Sequence, residues 1–232
     1  MAYKIGIDFG TTNTVISYIK DGLPEVFKYP ANLTNYFIPS VVSKDKKHIG
    51  VHAWVEVYVS AMKMFLPLSD KELDQNNWKG EYPPEEYIQV FFEKLLKKEH
   101  NDSFENTIGE ISDIVLCVPQ VWSKDTSHLG REKMKKIFTS LGYNVSRIVS
   151  EPIAAAAYFV NWHKIKFKDD FSGNLLVCDM GGGTFDVTLC RVDSSGKIES
   201  IKNEGNGITS TGKGFAGVYF DETLIKNAYK RI

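Results

Sequence analysis

Apolar and polar residues alternate over 4–8 and again over 14–20, a period of two that predicts half-buried β-strands. The turn Phe9-Gly10-Thr11-Thr12 joins these segments, and Asp21-Gly22 marks a second reversal before 25–29, so the chain is expected to open with an antiparallel meander. A fourth strand is expected over 38–43, followed by a lysine-rich turn at 44–47 and a helix over 52–65 that ends where Pro67 forbids continuation. Pro83 and Pro84 open a longer helix over 85–99, with acids in its first turn and Lys94, Lys97 and Lys98 in its last, as the helix macrodipole favours. Tyr87, Ile88, Phe91, Phe92 and Leu95 make its core-facing stripe.

The continuous apolar run over 113–118, closed by Pro119, predicts a buried strand, and a helix over 125–141 follows, capped by Gly142. A second buried strand spans 145–149. Glu151-Pro152 then opens a helix over 153–162, whose four consecutive alanines permit close packing on a sheet. After a polar connector over 164–173, strands are expected at 175–180, 184–192 and 197–203, with a glycine-rich loop and a last helix from 219. Strand, helix, strand, helix in the middle of the chain points to an α/β fold.

Composition narrows the function. The 232 residues suffice for one or two domains, and 43% hydrophobic with 25% charged residues is ordinary for a folded chain. A net charge of -1 supplies no positive field for nucleic acid or an anionic membrane, so neither is an expected partner. Cys117, Cys178 and Cys190 each sit in an apolar strand-like run without a second Cys or a His at metal-ligand spacing, and are expected to be buried free thiols. The N-terminus resembles no secretion signal, which makes a cytoplasmic location the expectation.

The chemistry lies in a repeat. Ile7-Asp8-Phe9-Gly10-Thr11-Thr12 and Cys178-Asp179-Met180-Gly181-Gly182-Gly183 occupy the same place in two strand-turn-strand units, which implies duplicated lobes. An Asp at the end of an apolar strand is costly to bury unless a cation or donors compensate it, and two such residues suggest a shared cation. The glycines allow backbone N–H groups to approach an anion, while Thr11, Thr12 and Thr184 add hydroxyl donors; together these describe a phosphate cradle. The bland alternative is that each Asp-x-Gly merely ends a hairpin.

Ile5-Gly-Ile-Asp-Phe-Gly-Thr-Thr-Asn13 and Leu176-Val-Cys-Asp-Met-Gly-Gly-Gly-Thr-Phe-Asp-Val187 resemble the two phosphate motifs of the seventy-kilodalton heat-shock chaperones, within the superfamily that includes actin and the sugar kinases. Ser150-Glu-Pro-Ile-Ala-Ala-Ala-Ala157 is similar to their inter-lobe connecting motif, and further matches at Val118-Pro119, at 82–86 and at Gly217-Val-Tyr-Phe-Asp221 extend the resemblance over nearly the whole chain. The resemblance implies an α/β actin-like ATPase (ribonuclease H-like) fold, with a complete lobe I over 1–168 and the first part of an incomplete lobe II over 169–232. It implies ATP or ADP with Mg2+ as cofactors, and Asp8 and Asp179 holding the magnesium, largely through water. Gly10, Thr11, Thr12, Asn13, Gly181, Gly182, Gly183, Thr184 and Gly217 would grip the phosphates. Glu151 and Asp186 would orient or polarise the attacking water, although either residue type also serves as an ordinary cap or turn acid. Lys63 matches the family lysine that meets the transferred phosphate, the alternative being an exposed helix lysine.

The chain also departs from the pattern. Arg131 and Pro119 align with the family pair that relays nucleotide state, but 124–130 carries an insertion, and Ala216 stands where a glycine is usual, which indicates a divergent branch. The family's adenosine-binding glycines and peptide-binding domain do not follow Ile232, so a fragment or a natural truncation is expected, with protein clients or co-chaperones engaging parts outside it. Three rival readings remain open. Gly207-Ile-Thr-Ser-Thr-Gly212-Lys213 fits most of a P-loop, but Gly214 stands where a magnesium-binding hydroxyl belongs. A sugar kinase would pass phosphate to a hydroxyl instead of to water. A scaffold would keep the fold without hydrolysis.

Overall fold

The computed structural model describes residues 2–31, 36–123, 128–206 and 216–229. Strands β1 (Ala2–Phe9), β2 (Asn13–Lys20) and β3 (Leu23–Val26) form the expected meander, the third strand lying slightly earlier than the apolar pattern suggests. β1 also pairs in parallel with β7 (Glu110–Val118), which pairs in parallel with β8 (Val145–Ser150), and β4 (Ile38–Pro39) joins β2. The result is a six-stranded mixed sheet of order β3-β2-β1-β7-β8 with β4 at the side.

Period-two alternation decides what each face of β1 does. Ile5, Ile7 and Phe9 are buried on one face, and Asp8 therefore stands on the other. The buried face is covered by α3 (Pro84–Leu96) and α5 (His128–Ser140): Phe9 lies 5.9 Å from Phe91 and 5.2 Å from Phe92 between ring centroids, and Phe92 lies 4.6 Å from Phe138. Phe9→Ala would cost about 3–5 kcal/mol in this core and loosen the strand that carries Asp8.

The segment between β4 and α3 differs from expectation. The strand expected over 38–43 is split, because Ser40 donates its backbone N–H to the Thr12 carbonyl and the chain then leaves the main sheet. Its second half, β5 (Val42–Ser43), pairs instead with β6 (Tyr58–Val59). The helix expected over 52–65 is a 3-10 turn (Gly50–Val55), then β6, then one helical turn, α1 (Met62–Phe65). The physical reason is a β-branched run in which Val59 is buried against Val42, together with a left-handed Ala61 (φ 56°) that breaks any continuous helix. A short α2 (Asp70–Gln75), which the pattern did not predict, opens with a capping box between Ser69 and Glu72. A short α4 (Phe104–Thr107) precedes β7.

Helix α6 (Glu151–Phe167) runs further than its alanine-rich start suggests, because Phe159, Trp162, His163, Phe167 and Phe171 pack as an aromatic group at its C-terminal end. It touches β7 and β8 of the first sheet and packs on a second, antiparallel sheet of β9 (Gly173–Met180), β10 (Phe185–Val192) and β11 (Ile198–Asn206). Asp186, Thr188, Cys190 and Val192 are buried on one face of that sheet, while Leu176, Cys178 and Met180 are exposed on the other. The expectation of buried thiols thus holds for Cys190 and not for Cys178, whose position in the strand alternation turns it outward. Helix α7 (Gly217–Tyr229) has no buried residue. Among the described residues no helix is long and apolar enough to cross a membrane.

Candidate functional site

The two sequence repeats fold into the same turn. Gly10 donates its N–H to the Asn13 carbonyl at 2.9 Å, and Gly181 donates to the Thr184 carbonyl at 2.9 Å. Asp8 and Asp179 each stand two residues before their turn, paired across the hairpin with Val15 and Asp186. The hairpins meet tip to tip: a Cβ on Gly182 would come closer than 3.0 Å to Thr12 Oγ1, and one on Gly183 would lie 2.7 Å from Thr11 Oγ1 and 3.1 Å from Met64. The second hairpin also anchors α7, since Gly217 and Val218 donate their N–H groups to the carbonyls of Gly181 (3.1 Å) and Gly182 (2.9 Å).

Between the hairpins lies a cleft of about 480 Å³. It is lined by Asp8, Gly10, Thr11, Thr12, Asn13, Lys63, Glu151, Asp179, Gly181, Gly182, Thr184 and Gly217, so the structure brings together residues from β1, α1, α6, β9 and α7. Lys63 is not the exposed helix lysine. The left-handed entry at Ala61 turns α1 inward, Lys63 is 5% exposed, and its Nζ donates to Glu151 Oε1 at the N-terminal turn of α6.

Electrostatics tie these side chains together. Burial works against the Lys63 charge, yet the carboxylates of Glu151 and Asp8 outweigh it and hold the ammonium pKa above its usual value. Loss of solvent pushes the Asp8 carboxyl above the ordinary range; Lys63 opposes this, while Glu151 and Asp179 add to it. Loss of solvent and the charge of Glu151 likewise raise Asp179, against Lys63. Cys117, the β7 partner of Asp8, is pushed up to about 12 by burial and then by the charges of Asp8 and Glu151.

Two expected residues stand apart from the cleft. Gly183 is buried beneath the second tip against Thr11 and Met64, and Asp186 is buried one strand beyond Asp179, opposite Gly205. Most of the glycine-rich loop, including the P-loop-like stretch 207–213 and Gly214, lies outside the described residues, as do 124–127 of the insertion. Arg131 donates to the Ile148 carbonyl at 2.9 Å, tying α5 to β8. Val15, Phe37 and Met180 also line the cleft. Phe37 carried no signal in the sequence, whereas Met180, set between Asp179 and Gly181, was legible as part of the motif.

The donor set fits magnesium. Among the described residues no three His, Cys, Asp or Glu side chains gather closely enough to hold a metal by themselves. Two carboxylates whose ionised forms are disfavoured by their surroundings, beside two glycine turns, match the habit of Mg2+ to keep several waters and use one or two carboxylates with phosphate oxygens.

Residues 68–232 match the family model described as Hsp70 protein. Over 235 residues the chain is 32% identical to chaperone protein DnaK of Thermotoga petrophila, covering 96% of this chain and 35% of that one. It is 32% identical over 212 residues to chaperone protein DnaK of Thermosipho melanesiensis, covering 88% and 33%. It is 31% identical over 225 residues to chaperone protein dnaK1 of Prochlorococcus marinus subsp. pastoris, covering 84% and 31%. The chain spans about a third of the length of these relatives. On its sequence and its mixed α/β architecture, the chain belongs to the Hsp70 family and carries the actin-like ATPase fold of that family's nucleotide-binding domain.

Proposed function

We propose that this chain binds ATP or ADP with Mg2+ in the cleft between its two hairpins and hydrolyses ATP to ADP and phosphate, as the nucleotide-binding part of a molecular chaperone. The single observation that carries the reading is the buried Lys63–Glu151 pair beside Asp8 and Asp179, at the point where both hairpins converge. In this reading residues 1–168 form the first lobe and 169–232 open the second.

Each residue has a physical task. The N–H groups of residues 11–13 and 182–184, with the hydroxyls of Thr11, Thr12 and Thr184, donate to phosphate oxygens, while those of Gly10 and Gly181 close the two turns. Asp8 and Asp179 hold the cation, which when bound supplies charge neutralisation for the phosphate oxygens. Lys63 offers a desolvated ammonium to the transferred phosphoryl group, and its own burial makes that charge count for more than it would in bulk solvent. Glu151, once Lys63 turns to phosphate, is released to accept a hydrogen bond from the attacking water, with Asp186 assisting from the neighbouring strand.

Protein clients or co-chaperones would engage the remainder of a longer protein. A cytoplasmic location belongs to the same proposal and draws on three free cysteines.

Titration calorimetry with ATP, with and without magnesium, alongside a phosphate-release assay tests the reading. Magnesium-dependent binding with slow release is the expected result. Binding without release would leave a nucleotide-sensing scaffold, and absence of both in this chain and in a version with further Hsp70 sequence appended would overturn the proposal.

A further inference from the structure

Asp186 has a carboxylate neighbour on one side and a glycine on the other. In the β9–β10–β11 ladder its Cα partners are Asp179 and Gly205, and directly opposed residues project from the same face with Cβ positions about 4.5–5.5 Å apart. That face is the one α6 covers, and Asp186 is 2% exposed on it. Its side chain therefore has two lateral directions available, one towards a like charge that lines the cleft and one towards Gly205.

The side chain takes the second. A Cβ on Gly205 would come closer than 3.0 Å to Asp186 Oδ1, and would lie 3.1 Å from its Cγ and 3.2 Å from the Phe185 carbonyl oxygen. The backbone itself makes no demand for glycine here, because Gly205 is not among the residues with positive φ and sits inside a strand, where glycine weakens the structure. Close approach by a neighbouring group is the remaining physical reason for a glycine at such a position.

We infer that Gly205 is a positioning residue for the nucleotide site: its missing side chain forms the slot that receives the Asp186 carboxylate and holds it away from Asp179, one strand beyond the cleft. The catalytic consequence rests on the proposed ATP hydrolysis; the packing consequence does not. An alanine at 205 closes the slot and drives the carboxylate back towards Asp179, so that two like charges crowd the position where the cation and the attacking water must be arranged.

Thermal melting of Gly205→Ala, Asp186→Ala and the double variant tests the slot, and magnesium-ATP titration with phosphate release on wild type, Gly205→Ala and Asp186→Asn tests its consequence. Gly205→Ala is expected to melt lower than wild type, and the double variant to melt as Asp186→Ala alone, because removing the carboxylate removes the clash. Phosphate release by Gly205→Ala should fall on the order of 10- to 100-fold with ATP affinity unchanged, the signature of misplacement instead of lost binding. If Gly205→Ala fails to fold, recovery of folding in the double variant supports the slot and persistent unfolding overturns it. Additive losses of melting temperature in the double variant, or a Gly205→Ala protein that melts as wild type, would also overturn it. A wild-type chain that binds no nucleotide would defeat the hydrolysis reading and with it the catalytic role, while the melting cycle still decides the slot.

Discussion

The Lys63 ammonium is buried against the carboxylate of Glu151, a residue 88 positions away in the sequence at the N-terminal turn of α6. This one contact ties the excursion between β6 and α1 to the helix that joins the two sheets. Its single charge is shared with a second carboxylate, since Asp8 feels the same ammonium.

Breaking the pair from the lysine side should therefore be severe. Lys63→Met leaves Glu151 and Asp8 without their cation and should lower unfolding free energy by about 3–5 kcal/mol in urea titrations. Lys63→Met combined with Glu151→Gln should recover most of that loss while leaving phosphate release abolished. A double variant as unstable as the single one would show that the pair is not what stabilises this corner.

Asp8→Asn should separate stability from binding. The folded-state pKa of Asp8 is raised above its ordinary 3.8, so the folded chain binds more protons than the unfolded chain between 3.8 and that raised value. Its contribution is intact below 3.8 and is lost as pH rises through the raised value, so at neutral pH the charged carboxylate is a liability. The asparagine variant should accordingly melt higher than wild type at pH 7 without ligand, yet lose the magnesium dependence of ATP binding in calorimetry. Asp179→Asn should shift both quantities in the same directions.

Gly182→Ala tests the closure of the hairpins. Its Cβ meets Thr12 Oγ1, and overpacking of this kind costs about 1–3 kcal/mol. Thr12→Ala in the same chain should restore stability, whereas Thr12→Ser, which keeps the oxygen, should not. Chemical denaturation of the three proteins decides the matter.

The thiols should react in a fixed order. Iodoacetamide at pH 8 should modify Cys178, which is exposed, well before Cys117 or Cys190, whose thiols burial holds in the protonated form. Because Cys117 is raised from 9.0 to about 12, unfolding releases a proton between those values, and stability should fall as pH rises through that window. Mass spectrometry of timed alkylation distinguishes the three sites.

The site was more legible than the segment that delivers part of it. The Asp-x-Gly repeats declare themselves because backbone turn chemistry is local, and their equivalence survives into matching N–H to carbonyl contacts at Gly10 and Gly181. Pro152 marks the helix start that places Glu151, while its role at the site rested on the family resemblance. Lys63 could not be placed from its neighbours, since the spacing of Val55, Val59 and Met62 imitates a helix while the chain makes a ribbon with β5 and a left-handed kink at Ala61. Phe37 reaches the cleft only because β4 joins β2, a long-range pairing with no local signature. The slot at Gly205 depends on which residue lies across the ladder, and register of that kind is settled by the whole sheet.

The tip-to-tip contact of the hairpins bears on how such a duplicated architecture can diverge. Thr11 and Thr12 occupy the first tip and Gly182 and Gly183 the second, and no Cβ fits on Gly182 while Thr12 is present. Two identical threonine tips could not meet at this distance, so the two repeats must differ in sequence at the place where they touch. Mutational freedom at one tip is thus conditional on the other: a larger residue becomes tolerable at 182 only after a smaller one has been accepted at 12, and substitution histories of the two positions should be correlated even though 170 residues of chain separate them.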